Sequence, residues 1–305
     1  MKQSKPVAKN QSNACRAALF SVGALSLGLL PQLVLGSAWT RNEGGVLVLL
    51  PVSYTHVTEA FDDDGDKMDR RTFELAEFSP LFEYGLTDSF TIGAQPKYRV
   101  VRLDTGTLGD GMSTNQGLAE SDFFVRQRLW SRDQAVFSVQ GLVKVPLKDD
   151  EDRLAALGRD QVDAEIKLAY GNRHTAGAGN IFYSAAAGYR KRWEDPDDEV
   201  SFNAFLGWSP GDAWSFILRS ANTWGVSDDG DGLEVLTASP SFTRNDVQMM
   251  VSYRFSNGVS LTGGASTTYA GENVGVGDTA FLALTFQFGK KPTQQTFPYP
   301  EAFAD

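Results

Sequence analysis

The sequence predicts an all-β protein, a transmembrane antiparallel β-barrel of about 12 strands that follows a cleaved N-terminal signal peptide. Three observations predict it. Apolar and polar side chains alternate over segments of about ten to fourteen residues, connections between segments alternate short and long, and aromatic residues recur near segment ends. Residues 1–38 read as the signal peptide, 39–288 as the barrel and 289–305 as a periplasmic tail.

The one extended apolar run, Ala17 to Gly36, follows Lys2, Lys5, Lys9 and Arg16 and ends in Gly36-Ser37-Ala38, small residues that fit cleavage before Trp39. Gly23, Gly28 and Pro31 interrupt it, which argues against a stable membrane anchor. The single cysteine, Cys15, precedes this run and leaves with it, so the mature chain is expected to carry no disulfide or thiolate site.

From Gly44 onward the expected strands are 44–57, 72–84, 90–104, 118–131, 135–147, 161–171, 179–193, 199–208, 214–226, 246–255, 259–270 and 278–288. A tilted strand crosses a bilayer in roughly 9–11 residues. In 90–104, Phe90, Ile92, Ala94, Tyr98 and Val100 oppose Thr91, Gly93, Gln95, Lys97 and Arg99; in 161–171, Ile166 and Leu168 oppose Glu165 and Lys167. Period two with one apolar face puts one face in lipid or core and the other in water. The short connections are 85–89, 131–134, 172–178, 209–213 and 256–258; the others are 58–71, 105–117, 148–160, 194–198, 227–245 and 271–277. That parity places both termini on the short-turn side. Tyr54, Tyr84, Trp130, Tyr170, Trp193, Trp208, Trp214, Trp224 and Tyr269 are among the rings expected at the headgroup levels.

A mean hydropathy of −0.25 conceals this membrane character, because alternation averages it away. The formal charge of −10 speaks against nucleic acid as a partner. If apolar faces meet lipid, the lumen is lined by Lys97, Arg99, Arg126, Arg128, Lys144, Lys167, Arg190, Arg192, Arg219 and Arg254. The acids expected beside them are Glu83, Glu120, Asp122, Asp163 and Glu165. Two readings of this set stay open: a passage that lowers the barrier for anions, or an ion-pair network that fills the lumen.

The loops hold the negative charge, in Asp62-Asp63-Asp64-Gly65-Asp66, Asp149 to Asp152, Asp195 to Glu199 and Asp228 to Asp231. Asp62, Asp64 and Asp66 are weak candidates for a calcium contact, lacking the spacing and closing Glu of a full loop. Solvated loop is the plain alternative. No enzyme is expected. Ser53 and His56 are placed where a hydrolase pair would sit, yet they differ in strand parity, and His174 falls in an expected turn. In the tail, Phe297, Tyr299 and Phe303 belong either to a flexible extension or to a plug.

The stretch Phe73-Glu74-Leu75 through Pro80 to Asp88 into Thr91-Ile92-Gly93-Ala94, with Asp122–Trp130, Val139–Pro146 and Val162–Gly171, resembles a family of outer-membrane barrels. That family groups meta-pathway phenol-degradation transporter-like proteins with XagA-type barrel proteins. The resemblance implies a barrel of about twelve strands that passes small aromatic compounds or accompanies exopolysaccharide production. The expected activity is therefore passive diffusion of small polar, anionic or aromatic solutes through an outer-membrane channel, with an envelope or biofilm barrel as the alternative and a hydrolase third. The expected partners are outer-membrane lipid and lipopolysaccharide, a small solute or polysaccharide, and the barrel-assembly machinery; no cofactor is expected.

Overall fold

Residue-by-residue alternation is what the backbone delivers. The structure, a computed structural model, describes residues 37–106, 111–148, 155–158, 161–177, 179–193, 197–226 and 242–289. They form thirteen strand segments: β1 (Val46–Phe61), β2 (Lys67–Phe78), β3 (Leu81–Thr87), β4 (Phe90–Gly106), β5 (Gly111–Arg132), β6 (Ala135–Pro146), β7 (Asp163–Ala176), β8 (Gly179–Arg192), β9 (Asp198–Ser209), β10 (Trp214–Val226), β11 (Thr243–Arg254), β12 (Ser260–Glu272) and β13 (Val274–Phe288).

Apart from β2 and β3, consecutive segments pair antiparallel, and β13 pairs with β1 from Val46↔Phe288 to Phe61↔Val274, which closes the ring. β2 and β3 occupy one place in that ring, both lying between β1 and β4. The chain is thus a closed barrel of 12 antiparallel strands, one of them broken in two. Closure leaves no unpaired edge, the condition for a sheet in hydrocarbon.

The expected strand 72–84 is the broken one. Pro80 has no N–H to give the ladder, and Pro51 and Pro96 lie beside it on β1 and β4. The gap is held by other bonds: Ser79 N–H donates to Pro51 O at 3.3 Å and Gln95 Nε2 to Ser79 O at 3.1 Å.

The expected parity of connections holds on one side only. Short turns join β3 to β4 at 88–89 and β5 to β6 at 133–134. At the other end the expected loop 271–277 is a turn through the single residue Asn273 at φ +53°, and 58–71 shrinks to a hairpin tip at 62–66. Strands on this side run past the bilayer, β5 for 22 residues, and consume residues that look like loop.

Outward positions are apolar and exposed, among them Val52, Phe82, Leu118, Phe123, Ile166, Leu206, Met249 and Leu282. Inward positions are polar and buried, among them Thr55, Gln95, Asp122, Gln140, Asn203, Gln248 and Thr279. Exposed grease around a wet interior is the inverse of a soluble core. Trp208, Trp214, Trp130 and Tyr84 sit on the outer surface near the short-turn end, and Trp224, Tyr269 and Tyr54 nearer the other.

Candidate functional site: the filled lumen

Inside the ring, the elements bring most of the expected charged residues together and pair them. Arg99 is fully buried; its Nε lies 2.7 Å from Glu77 and its Nη2 3.0 Å from Glu120. Lys97 Nζ bridges Glu120 at 2.7 Å and Asp122 at 2.9 Å. Lys144 Nζ reaches Asp163 at 2.7 Å and Glu120 at 3.9 Å. The chain continues through Arg192 with Asp163 and Glu199, Arg190 with Glu165 and Glu199, and Lys167 with Glu165. One ion-pair network thus covers the inner face from β2 to β9. A buried charge is tolerated only when paired, so these side chains fix one another's positions.

The opposite wall, β10 to β13 and β1, is mostly hydroxyl and amide. Thr55 and Thr279 share a hydrogen bond of 2.8 Å, Thr262 Oγ1 donates to Ser252 Oγ at 2.9 Å, and Ser209 and Ser215 share one of 2.7 Å. Arg244 meets Asp246 at 2.8 Å near the long-strand end. Among the described residues Arg219 donates to two neutral oxygens, Asn203 Oδ1 at 2.9 Å and Gln248 Oε1 at 3.4 Å. Arg128 and Arg254 are partly exposed near the short-turn end. Sequence reading missed Glu77, Glu199, Arg244 and Asp246, although Glu77 shares strand parity with Glu83 and was legible.

Two segments that are not wall occupy the lumen. From the short-turn end, residues 37–42 are buried inside the barrel rather than opening the first strand, which starts at Val46. Trp39 is 2% exposed and packs with Ala38, Val136, Ala169 and Ala186, its ring 6.3 Å from that of Phe205. Its seat exists because Gly171 has no side chain: a Cβ there would lie 2.6 Å from the indole. Arg126 Nη1 donates to Trp39 O at 2.9 Å, and Ser138 Oγ donates to Ala38 O. Arg41 Nε lies 2.8 Å from Glu83, which also holds Arg126 at 3.1 Å. Thr40 Oγ1 donates to Asp88 O at 2.9 Å, pinning the segment to the β3–β4 turn.

From the other end, residues 155–158 fold inward. Leu157 is fully buried against inward apolar residues of β1, β2, β4 and β5, namely Val57, Phe73, Leu75, Val101, Leu103 and Ala119, and its carbonyl accepts from Arg99 Nη1 at 2.8 Å. Chain therefore enters the lumen from both ends. Nothing in the local pattern of either segment announces this.

The remaining candidates behave more simply. Asp62 Oδ1 accepts from Asp64 N at 3.1 Å and Asp66 N at 2.8 Å, so its carboxylate is engaged in closing its own hairpin. Among the described residues no three His, Cys, Asp or Glu side chains group as a metal cage. The acidic runs at 149–152 and 228–231, residues 195 and 196 of the run 195–199, and the tail from 290 lie outside the described residues, as do residues 1–36. Ser53 faces the lumen and His56 the outer surface, 4.0 Å from Glu74, so the two form no catalytic pair.

No protein-family model matches the chain, and no curated protein matches it in sequence. Among solved structures it is similar to the COG4313 outer membrane channel from Pseudomonas putida F1, at 14% identity over 83% of this chain and 98% of that one, with a TM-score of 0.66. It also aligns with the translocator domain of the autotransporter NalP from Neisseria meningitidis, at 12% identity over 81% of this chain and 90% of that one, with a TM-score of 0.45. The likeness to the COG4313 channel supports the outer-membrane barrel fold and does not reach the finer phenol-transporter or XagA-type resemblance.

Proposed function

We propose that this barrel is an outer-membrane channel for small polar, anionic or aromatic solutes by passive diffusion, held closed by its own N-terminal segment. The observation that carries the reading is residues 37–42 buried inside a 12-strand ring. A ring of this size is wider than the eight-strand kind that wall side chains can fill, and here inserted chain fills the difference. The inserted piece is held by noncovalent contacts: an indole in a glycine-made seat, an ion pair with Glu83 and hydrogen bonds to the wall. A second conformation that satisfies these groups elsewhere would exchange with the seated one. The likeness to an outer membrane channel at a TM-score of 0.66 agrees with this reading. The finer family resemblance suggests aromatic solutes, and the hydroxyl wall suits polar ones.

The test is planar-bilayer conductance of the folded protein. Wild type should give small or infrequent openings, and a Trp39→Gly, Arg41→Gln double variant should give larger and longer ones. Absence of ion current from both proteins, each shown to be folded by heat-modifiable gel mobility, overturns the channel reading.

A further inference from the structure

A charged side chain confers selectivity only if its field is not cancelled by a neighbour. Among the inward bases Lys97, Arg99, Arg126, Lys144, Arg190 and Arg192, each has a carboxylate within 4.0 Å. That belt is electrically near neutral at the range of a passing solute. Arg219 differs. It is 7% exposed, faces the lumen from β10, and among the described residues has no carboxylate at salt-bridge distance. Its nearest acceptors are the amide oxygens of Asn203 on β9 and Gln248 on β11, one on each neighbouring strand.

We infer that Arg219 is the anion station of the lumen, a binding position for a monocarboxylate on its way through. The inference rests on the channel reading. A guanidinium offers five N–H donors in a planar fork, and the two amide oxygens take one each, which leaves the bidentate geometry that carboxylates match. Both amides turn their oxygens toward Arg219, so their NH2 groups point away from it as further donors. One step further up β9, the buried Ser201 Oγ has no hydrogen-bond partner among the described residues. One positive charge balances one carboxylate; a doubly charged phosphate would leave a buried excess negative charge. The position is also strategic. Arg219 is the register partner of Phe205, the residue on which Trp39 packs, so the station lies immediately beyond the N-terminal segment at mid-depth of the wall.

The experiment uses two readouts on wild type, Arg219→Gln and Arg219→Lys, with Lys67→Gln as a control for charge lost outside the lumen. The first is the reversal potential in a potassium chloride gradient. The second needs no flux: the shift in thermal unfolding midpoint caused by acetate, measured against chloride at equal ionic strength. Wild type should favour anions, and Arg219→Gln should lower the anion-to-cation permeability ratio by roughly tenfold, as loss of a buried uncompensated charge predicts. Arg219→Lys should keep the selectivity and lose most of the acetate shift, because an ammonium carries the charge without the fork. Lys67→Gln should change neither. A conducting barrel whose selectivity and acetate response ignore Arg219 overturns the station and leaves the channel standing. An Arg219-dependent acetate shift without conductance keeps the station and removes the channel. Loss of both readouts in wild type ends both.

Discussion

Glu83 is fully buried and holds two guanidinium groups at once, Arg41 of the N-terminal segment at 2.8 Å and Arg126 of β5 at 3.1 Å. Removing its charge strands two buried cations, and breaking one partner of a buried pair costs about 3–5 kcal/mol. Gly171 reaches the same segment by a different force. Any side chain there drives atoms into the indole of Trp39, since the Cβ alone would stand 2.6 Å from it. The two positions therefore separate opening from stability. Gly171→Leu should expel Trp39 and raise conductance while the denaturant midpoint of the barrel moves little. Glu83→Gln should raise conductance and also lower that midpoint. If Gly171→Leu conducts like wild type, Trp39 is not what closes the lumen. The network further along the same wall obeys the same arithmetic, because the one carboxylate of Glu120 contacts Arg99, Lys97 and Lys144.

Among elements, the inward segment at 155–158 has Leu157 as its largest apolar anchor, with Ala155 buried in the same cluster. Leu157 is completely buried in the cluster of Val57, Phe73, Leu75, Val101, Leu103 and Ala119. A carboxylate placed there would have no partner, so for Leu157→Asp the segment should leave the lumen rather than bury the charge. Cells displaying this variant should lose protease resistance at residues 155–158, with the barrel itself still heat-modifiable; unchanged resistance would show that Leu157 does not anchor the segment. The wall elements were legible in the sequence because their signal is local. In 90–104 and 161–171 every second residue already declares its side, and the structure puts Gln95, Arg99, Glu165 and Lys167 inside and Tyr98, Ile166 and Leu168 outside. The inserts were not legible, since no periodicity marks Trp39 to Glu43. Their burial depends on ring closure bringing β3, β5, β6, β7 and β9 around one space. Pairing of the lumen charges was equally hidden. Parity says that Lys97 and Glu120 share the interior, whereas their 2.7 Å contact follows from the β4–β5 register, in which they are direct partners. The break at Ser79-Pro80 was written plainly in a proline, and alternation on either side masked it.

At the scale of the whole molecule, the strand registers locate the bilayer. Phe288, Val46, Tyr84, Ile92 and Val125 form one outward row across β13, β1, β3, β4 and β5. Leu282, Val52, Phe78, Tyr98 and Leu118 form another row, still apolar and exposed. Two residues further along each of β13, β1, β2 and β4 come Ala280, Tyr54, Ala76 and Val100, and two further still Asp278, His56, Glu74 and Arg102, where acidic and basic side chains first appear in these outward rows. Arg102 Nη1 lies 3.2 Å from Glu74 and Tyr54 Oη donates to the same carboxylate at 2.8 Å, as expected where water begins. Between Val46 and Tyr54 the strand rises about 26 Å before tilt, close to the height of an outer-membrane apolar band. Charge placed on this face must therefore be penalised by depth. Leu284→Arg, near the middle of the band on β13, should cost roughly 2–4 kcal/mol of unfolding free energy, and Ala280→Arg, at its edge, about 0–1 kcal/mol. The measurement is reversible denaturant unfolding from lipid vesicles. Equal costs at the two positions would mean that this face does not meet hydrocarbon, and the barrel would have to be placed in some other medium.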